Sequence, residues 1–163
     1  MSKPVILCVD DQREVLAALT KDLEPLTSHF SLVDAESADE AIDVLDDLEA
    51  GGTPIALIIS DHVMPGVSGV DFLSKIAAQS RFAKTRKLLL TGLATHEDTI
   101  RAINEGHIDN YTAKPWQPGT LLATVKKLIS EYVFDALPDA YLDYKGVMDP
   151  DVMINRLQRR GGP

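Results

Sequence analysis

Five polar residues stand where short apolar runs end. Asp10 and Asp11 follow Val5 to Val9, Asp61 follows Ile55 to Ser60, Thr91 follows Lys87 to Leu90, and Lys114 comes soon after Ile108 to Tyr111. Carboxylates gathered in one place repel: two unit charges about 4 Å apart interact by roughly 4 kcal/mol at an effective dielectric near 20. Asp10, Asp11 and Asp61 brought together would therefore call for a cation. An all-oxygen donor set suits a hard ion such as Mg²⁺, with Mn²⁺ as a substitute, which keeps several waters and accepts phosphate oxygens. With that ion and the Lys114 ammonium drawing off charge, a carboxylate oxygen can attack phosphorus and form an acyl phosphate. Asp61 is the expected nucleophile. Asp10 and Asp11 are the expected metal holders, one directly and one through water, and the Thr91 hydroxyl would hydrogen-bond a phosphoryl oxygen.

Such a cluster needs strands whose ends meet. Val5 to Val9, Phe30 to Asp34, Ile55 to Ser60, Lys87 to Leu90 and, more weakly, Ile108 to Tyr111 are too short for helices and read as strands. Between them lie helical patterns. Val15, Leu16, Leu19, Leu23 and Leu26 predict an amphipathic helix of about four turns. Ser37 and Glu40 form a capping box ahead of a second helix that closes at Gly51-Gly52. Pro65, Gly66, Ser68 and Gly69 turn the chain into a third, carrying Phe72, Leu73 and Ile76. A fourth is expected over Glu97 to Glu105, and Leu121 to Val133 mark a fifth. Five β–α units predict a five-stranded parallel sheet, doubly wound with helices on both faces, whose ligands sit at the carboxyl ends of the strands where the order reverses.

Acidic residues outnumber basic ones 25 to 16, for a net charge of −9. That balance opposes broad attraction to nucleic acid or anionic lipid, and no direct nucleic-acid binding is expected. Cys8 is the single cysteine; it permits no intrachain disulfide and reads as a core thiol. No stretch approaches the about 18 apolar residues of a membrane span, and the amino terminus lacks a signal-peptide pattern, so a cytoplasmic location is expected.

Taken together, Val9-Asp10-Asp11, Ser60-Asp61-His62-Val63-Met64-Pro65-Gly66 with Gly69, Leu90-Thr91 and Tyr111-Thr112-Ala113-Lys114-Pro115 resemble the receiver domains of two-component response regulators, the CheY-like superfamily, over about residues 4 to 134. The resemblance implies a flavodoxin-like fold and a signalling domain that promotes its own phosphorylation and dephosphorylation, not a separate enzyme. It implies phosphorylation of Asp61 by a histidine kinase or phosphotransfer protein, with Mg²⁺ held by Asp10, Asp11, Asp61 and the carbonyl of Val63. Lys114 would contact the phosphoryl group. Thr91 would be the switch hydroxyl and Tyr111 the switch aromatic, turning inward on phosphorylation and remodelling the surface around the fourth helix and fifth strand. Val63 and Leu93 are apolar where the family often has polar groups, and Gly92 replaces the usual alanine. Apolar side chains there cannot orient an attacking water, so a long-lived phosphoryl group is expected. His62 and His96 are read as loop or surface histidines.

Residues 135 to 163 depart from a minimal receiver. Pro138, Gly146 and several acidic residues suggest an extended or turning connector, and Asp149 would cap a helix from Pro150 to about Arg160. Such a tail is expected to be a dimerisation or docking arm, or the start of an output domain. Homodimerisation would use it or the face of the fourth helix, fifth strand and fifth helix. Lys114-Pro115-Trp116 resembles receivers joined to enzymatic or kinase modules. Two other classes compete. A haloacid-dehalogenase-like phosphatase would need an acid two residues after Asp10, where Gln12 stands. A pseudo-receiver or flavin-binding module would not need the complete acidic set.

Overall fold

The computed structural model describes residues 2–92 and 96–160, without the side chains at 96, 98, 99, 102 and 106. Five strands, β1 (Val5–Val9), β2 (Ser31–Ala35), β3 (Ile55–Asp61), β4 (Arg86–Thr91) and β5 (Asn110–Ala113), form one sheet in the order β2-β1-β3-β4-β5. Every neighbouring pair is parallel. Crossovers from β1 run to one side and those from β3 to the other, so the order reverses between them, at Asp10 and Asp61.

The helices are α1 (Arg13–Asp22), α2 (Ala38–Ala50), α3 (Gly69–Ala77), α4 (His96–Gly106), α5 (Pro118–Ala136) and α6 (Pro150–Arg160). They divide the core into two layers, which explains why β1 and, from Ile55 to Ile59, β3 are continuously apolar instead of alternating. Ile6 and Cys8 point into the layer of α1 and α5, whereas Val5, Leu7 and Val9 point into that of α2 and α3. Burial pushes the Cys8 thiol up to about 12, as befits a core residue.

Three local expectations need correction. The first helix stops at Asp22, and Glu24–Leu26 form a separate 3-10 turn, because Pro25 cannot donate into a continuing α-helix. The fifth strand begins two residues late, at Asn110, because its ladder is set by β4, from Leu88 opposite Asn110 to Thr91 opposite Ala113. The capping box is also modified: Ser37 Oγ accepts from the Glu40 amide at 3.1 Å, but the Glu40 carboxylate accepts from the Glu36 amide, at 2.9 Å.

Of the two forms expected for the segment after α5, extended or turning, the chain takes the second. Pro138–Val147 winds as a 3-10 helix and folds back on the core. Tyr141 stacks on Phe134 with centroids 5.2 Å apart, and Tyr144 meets Phe30 at 5.5 Å. Val147, Met148 and Val152 are buried in the same cluster as α1 and α5. Asp149 Oδ1 accepts from the amides of Asp151 and Val152, capping α6 as its sequence suggested. Two of the three arginines of α6 reach back to the fold: Arg156 pairs with Asp135 at 2.7 Å, and Arg160 lies over the rings of Phe134 and Tyr141. Asp135 also pairs with Arg86, at the start of β4.

Buried Ser130 pins this return, donating to the Lys126 carbonyl at 2.6 Å and accepting from the Asp149 amide at 2.8 Å. Ser130→Ala leaves that amide without its acceptor and is expected to cost about 1–2 kcal/mol. Urea unfolding checks this; an unchanged midpoint would contradict it.

Candidate functional site

Asp10 and Asp61 lie at the carboxyl ends of β1 and β3, where both backbones are buried. Asp10 is fully buried and Asp61 is 7% exposed, while Asp11 opens to solvent. One oxygen of each of the three carboxylates falls within 4.8 Å of the others. Lys114, one residue past β5, reaches across: its Nζ is 2.9 Å from Asp10 Oδ2 and 2.9 Å from Asp61 Oδ1. Its backbone amide donates to the Thr91 carbonyl at 2.9 Å. Asp10, Asp11, Asp61 and Lys114 are thus brought together, with Thr91, 2% exposed, ending the intervening strand.

Electrostatics leave this cluster short of positive charge. Burial raises the Asp10 carboxyl above its usual range; the Gln12 amide and Lys114 pull it back, and the charge of Asp61 adds to the rise. Burial draws Lys114 down, but its bonds to Asp61 and Asp10 outweigh that, and it stays a cation. One ammonium therefore serves three acids. Asp10 Oδ1 accepts from the Gln12 amide at 2.8 Å and retains capacity for a further partner, whereas Asp61 Oδ1 accepts from both the His62 amide and Lys114, each at 2.9 Å, so the further capacity of Asp61 lies on its other oxygen. The all-oxygen donors at this spacing fit a hard divalent ion such as Mg²⁺.

The loop after Asp61 is fitted closely around it. The Gly69 amide donates to the His62 carbonyl at 2.8 Å, and a Cβ at position 69 would lie 1.9 Å from the Asp61 carbonyl oxygen. Gly66 takes a φ of 85°, which favours glycine. Val63 is 61% exposed at the rim. Tyr111 is 38% exposed on β5, facing outward. His62 is half-buried, with its Nδ1 lacking a partner among the described residues. Leu93 lies outside the described residues, as does the side chain of His96. A methyl group at Gly92 would stand 4.0 Å from Lys114 Cβ, an ordinary contact, so alanine would fit there.

Two contributors escaped sequence reasoning. The Gln12 amide is a backbone group and leaves no mark on residue type. Trp116 Nε1 donates to Asp22 Oδ2 at 2.8 Å across 94 residues of chain, a separation no local pattern reveals.

Comparison with known proteins places the chain in a family. Residues 6–126 match the family described as the response regulator receiver domain. The chain belongs to that family. This receiver is 32% identical over 124 residues to the hydrogenase transcriptional regulatory protein HoxA of Cupriavidus necator, covering 76% of this chain and 24% of that protein. It is 34% identical over 131 residues to the response regulator Rre1 of Synechocystis, covering 80% of this chain and 54% of that one. The receiver therefore spans between a quarter and about half of these relatives. Among solved structures, the signal receiver domain of an HD domain-containing protein from Pseudomonas fluorescens superimposes with a TM-score of 0.71 at 30% identity, covering 83% of this chain and 93% of that one. Receivers of this family are phosphoacceptors of two-component signalling and bind Mg²⁺ through acidic residues. Among the described residues, no helix is long and apolar enough to cross a membrane.

Gly69→Ala forces the backbone at Asp61 to move. It is expected to cost at least about 2 kcal/mol, within the range for overpacking, and to weaken Mg²⁺ binding. Urea unfolding and metal titration check both effects; a variant with wild-type values in each would contradict the close fit.

Proposed function

We propose that the receiver takes a phosphoryl group from a histidine kinase or phosphotransfer protein onto Asp61, and that the observation carrying this reading is the Lys114 ammonium set 2.9 Å from both Asp10 and Asp61. Asp61 supplies the attacking carboxylate oxygen. As the oxygen–phosphorus bond forms, the phosphorus–nitrogen bond of the donor phosphohistidine breaks and the electron pair returns to the imidazole. Asp10, Asp11, Asp61 and the Val63 carbonyl would hold Mg²⁺, which when bound offsets charge on the transferring oxygens. Lys114 neutralises another oxygen, and the Thr91 hydroxyl moves to donate to a third.

The switch follows from the added charge of about −1.5 to −2. Thr91, at the end of β4, is drawn toward the phosphoryl group, and Tyr111, outward here, rotates into the space released. The target is an output module or a separate protein that reads the face around α4 and β5. The HD-domain protein among the structural neighbours supports an enzymatic output, as does Trp116 after Lys114-Pro115.

Incubation with acetyl phosphate and Mg²⁺ is expected to add the mass of one phosphoryl group, and Asp61→Asn or removal of Mg²⁺ by chelation to abolish it. Intact-protein mass spectrometry checks this, and equal labelling of Asp61→Asn would refute the assignment. Exposed, apolar Val63 cannot hold an attacking water, so the phosphoryl group is expected to last minutes or longer, and Val63→Asn to shorten its lifetime severalfold. Time-resolved loss of the label measures it, and decay of the wild type within seconds would sink the idea.

A further inference from the structure

Lys114 can serve phosphoryl transfer only while its ammonium stays between Asp10 and Asp61, and the segment carrying it is short and lightly tied. Four residues, 114 to 117, join β5 to α5. Gln117 provides no side-chain cap for α5, and Pro115 and Pro118 have no amide hydrogen to give. Upstream, the Lys114 amide is held by the Thr91 carbonyl. Downstream, the loop is held by the bond from Trp116 Nε1 to Asp22 Oδ2, while the half-buried indole packs against the core cluster to which α1 and α5 contribute.

Asp22 is the last residue of α1, and α1 begins two residues after Asp11. The chain therefore closes a mechanical ring: Asp10, the length of α1, Asp22, Trp116, Lys114, and back to Asp10 through the 2.9 Å ion pair. A helix is a stiff member in such a ring, so the acid it follows and the loop it anchors share one reference frame.

We propose that Trp116, held by Asp22, is a positioning residue for Lys114 during phosphorylation; this rests on Asp61 being the acceptor. Removing the indole donor or its acceptor frees the loop on its downstream side. The ammonium then samples positions away from the transferring oxygens, and a misplacement near 1 Å can cost up to about 10²-fold in rate.

The test measures the initial rate of Asp61 labelling by acetyl phosphate with Mg²⁺, alongside urea unfolding. Trp116→Phe keeps an aromatic body and loses the donor; Asp22→Leu loses the acceptor; Asp22→Asn retains an acceptor oxygen. The first two are expected to slow labelling by about tenfold and Asp22→Asn to stay within about twofold of wild type. In a Lys114→Ala background, Trp116→Phe is expected to add no further slowing, because the coupled partner is gone. A purely structural role for Trp116 would slow that background as much as the wild type, which would overturn the proposal, as would wild-type rates in both slowed variants. If Asp22→Leu proves unfolded, Trp116→Phe decides. A wild type that takes no label overturns the phosphoacceptor reading and the proposal with it; a labelled wild type with unaffected Trp116→Phe overturns the positioning role alone.

Discussion

The ion pair of Lys114 with two buried acids is the constraint on which the rest of this receiver turns. Charges withdrawn from water at the end of a sheet are costly, and one ammonium shared between Asp10 and Asp61 repays that cost only in part. Asp11, open to solvent, deepens the deficit. The pocket is thus poised for more positive charge, which a hard cation held by these carboxylates would supply. Stability and chemistry make opposite demands here: a cluster satisfied by protein alone would have no use for a metal or a phosphate.

The fold meets that constraint through topology. Reversal of strand order between β1 and β3 leaves a crevice that no crossover helix covers, and Asp10 and Asp61 stand on its two lips. The β4–β5 ladder then carries Lys114 to the same edge, with Thr91 opposite Ala113 fixing how far the chain has run when the lysine emerges. Gly69 allows α3 to begin against the Asp61 carbonyl, where any side chain would collide.

The acidic pair, Asp61 and Thr91 were legible in the sequence because each closes an apolar run, Lys114 because it follows a weaker one, and a parallel sheet sends all such closures to one edge. Boundaries set by partners were not. The fifth strand was weak in its own pattern, and its register came from β4. The first helix was overrun because Leu23 and Leu26 keep helical spacing even though Pro25 breaks the hydrogen bonding. The inward packing of the tail was hidden for a different reason. Leu128, Ile129, Tyr132, Val133 and Phe134 are apolar around most of the helix circumference, a sign that α5 is covered on two sides. Pro138 and Gly146 read as a connector, but the intervening tyrosines are packing residues for that second side.

That cover redraws the outside of the molecule. With Tyr132 and Phe134 interior, the carboxyl-terminal half of α5 is no longer a surface that another protein can read. What the solvent meets in its place is the outer side of the return segment, including Leu142 and Ile154, each more than half exposed. The surface at this end of the sheet, opposite the acidic cluster, is therefore built largely from residues that lie beyond the family match at 6–126.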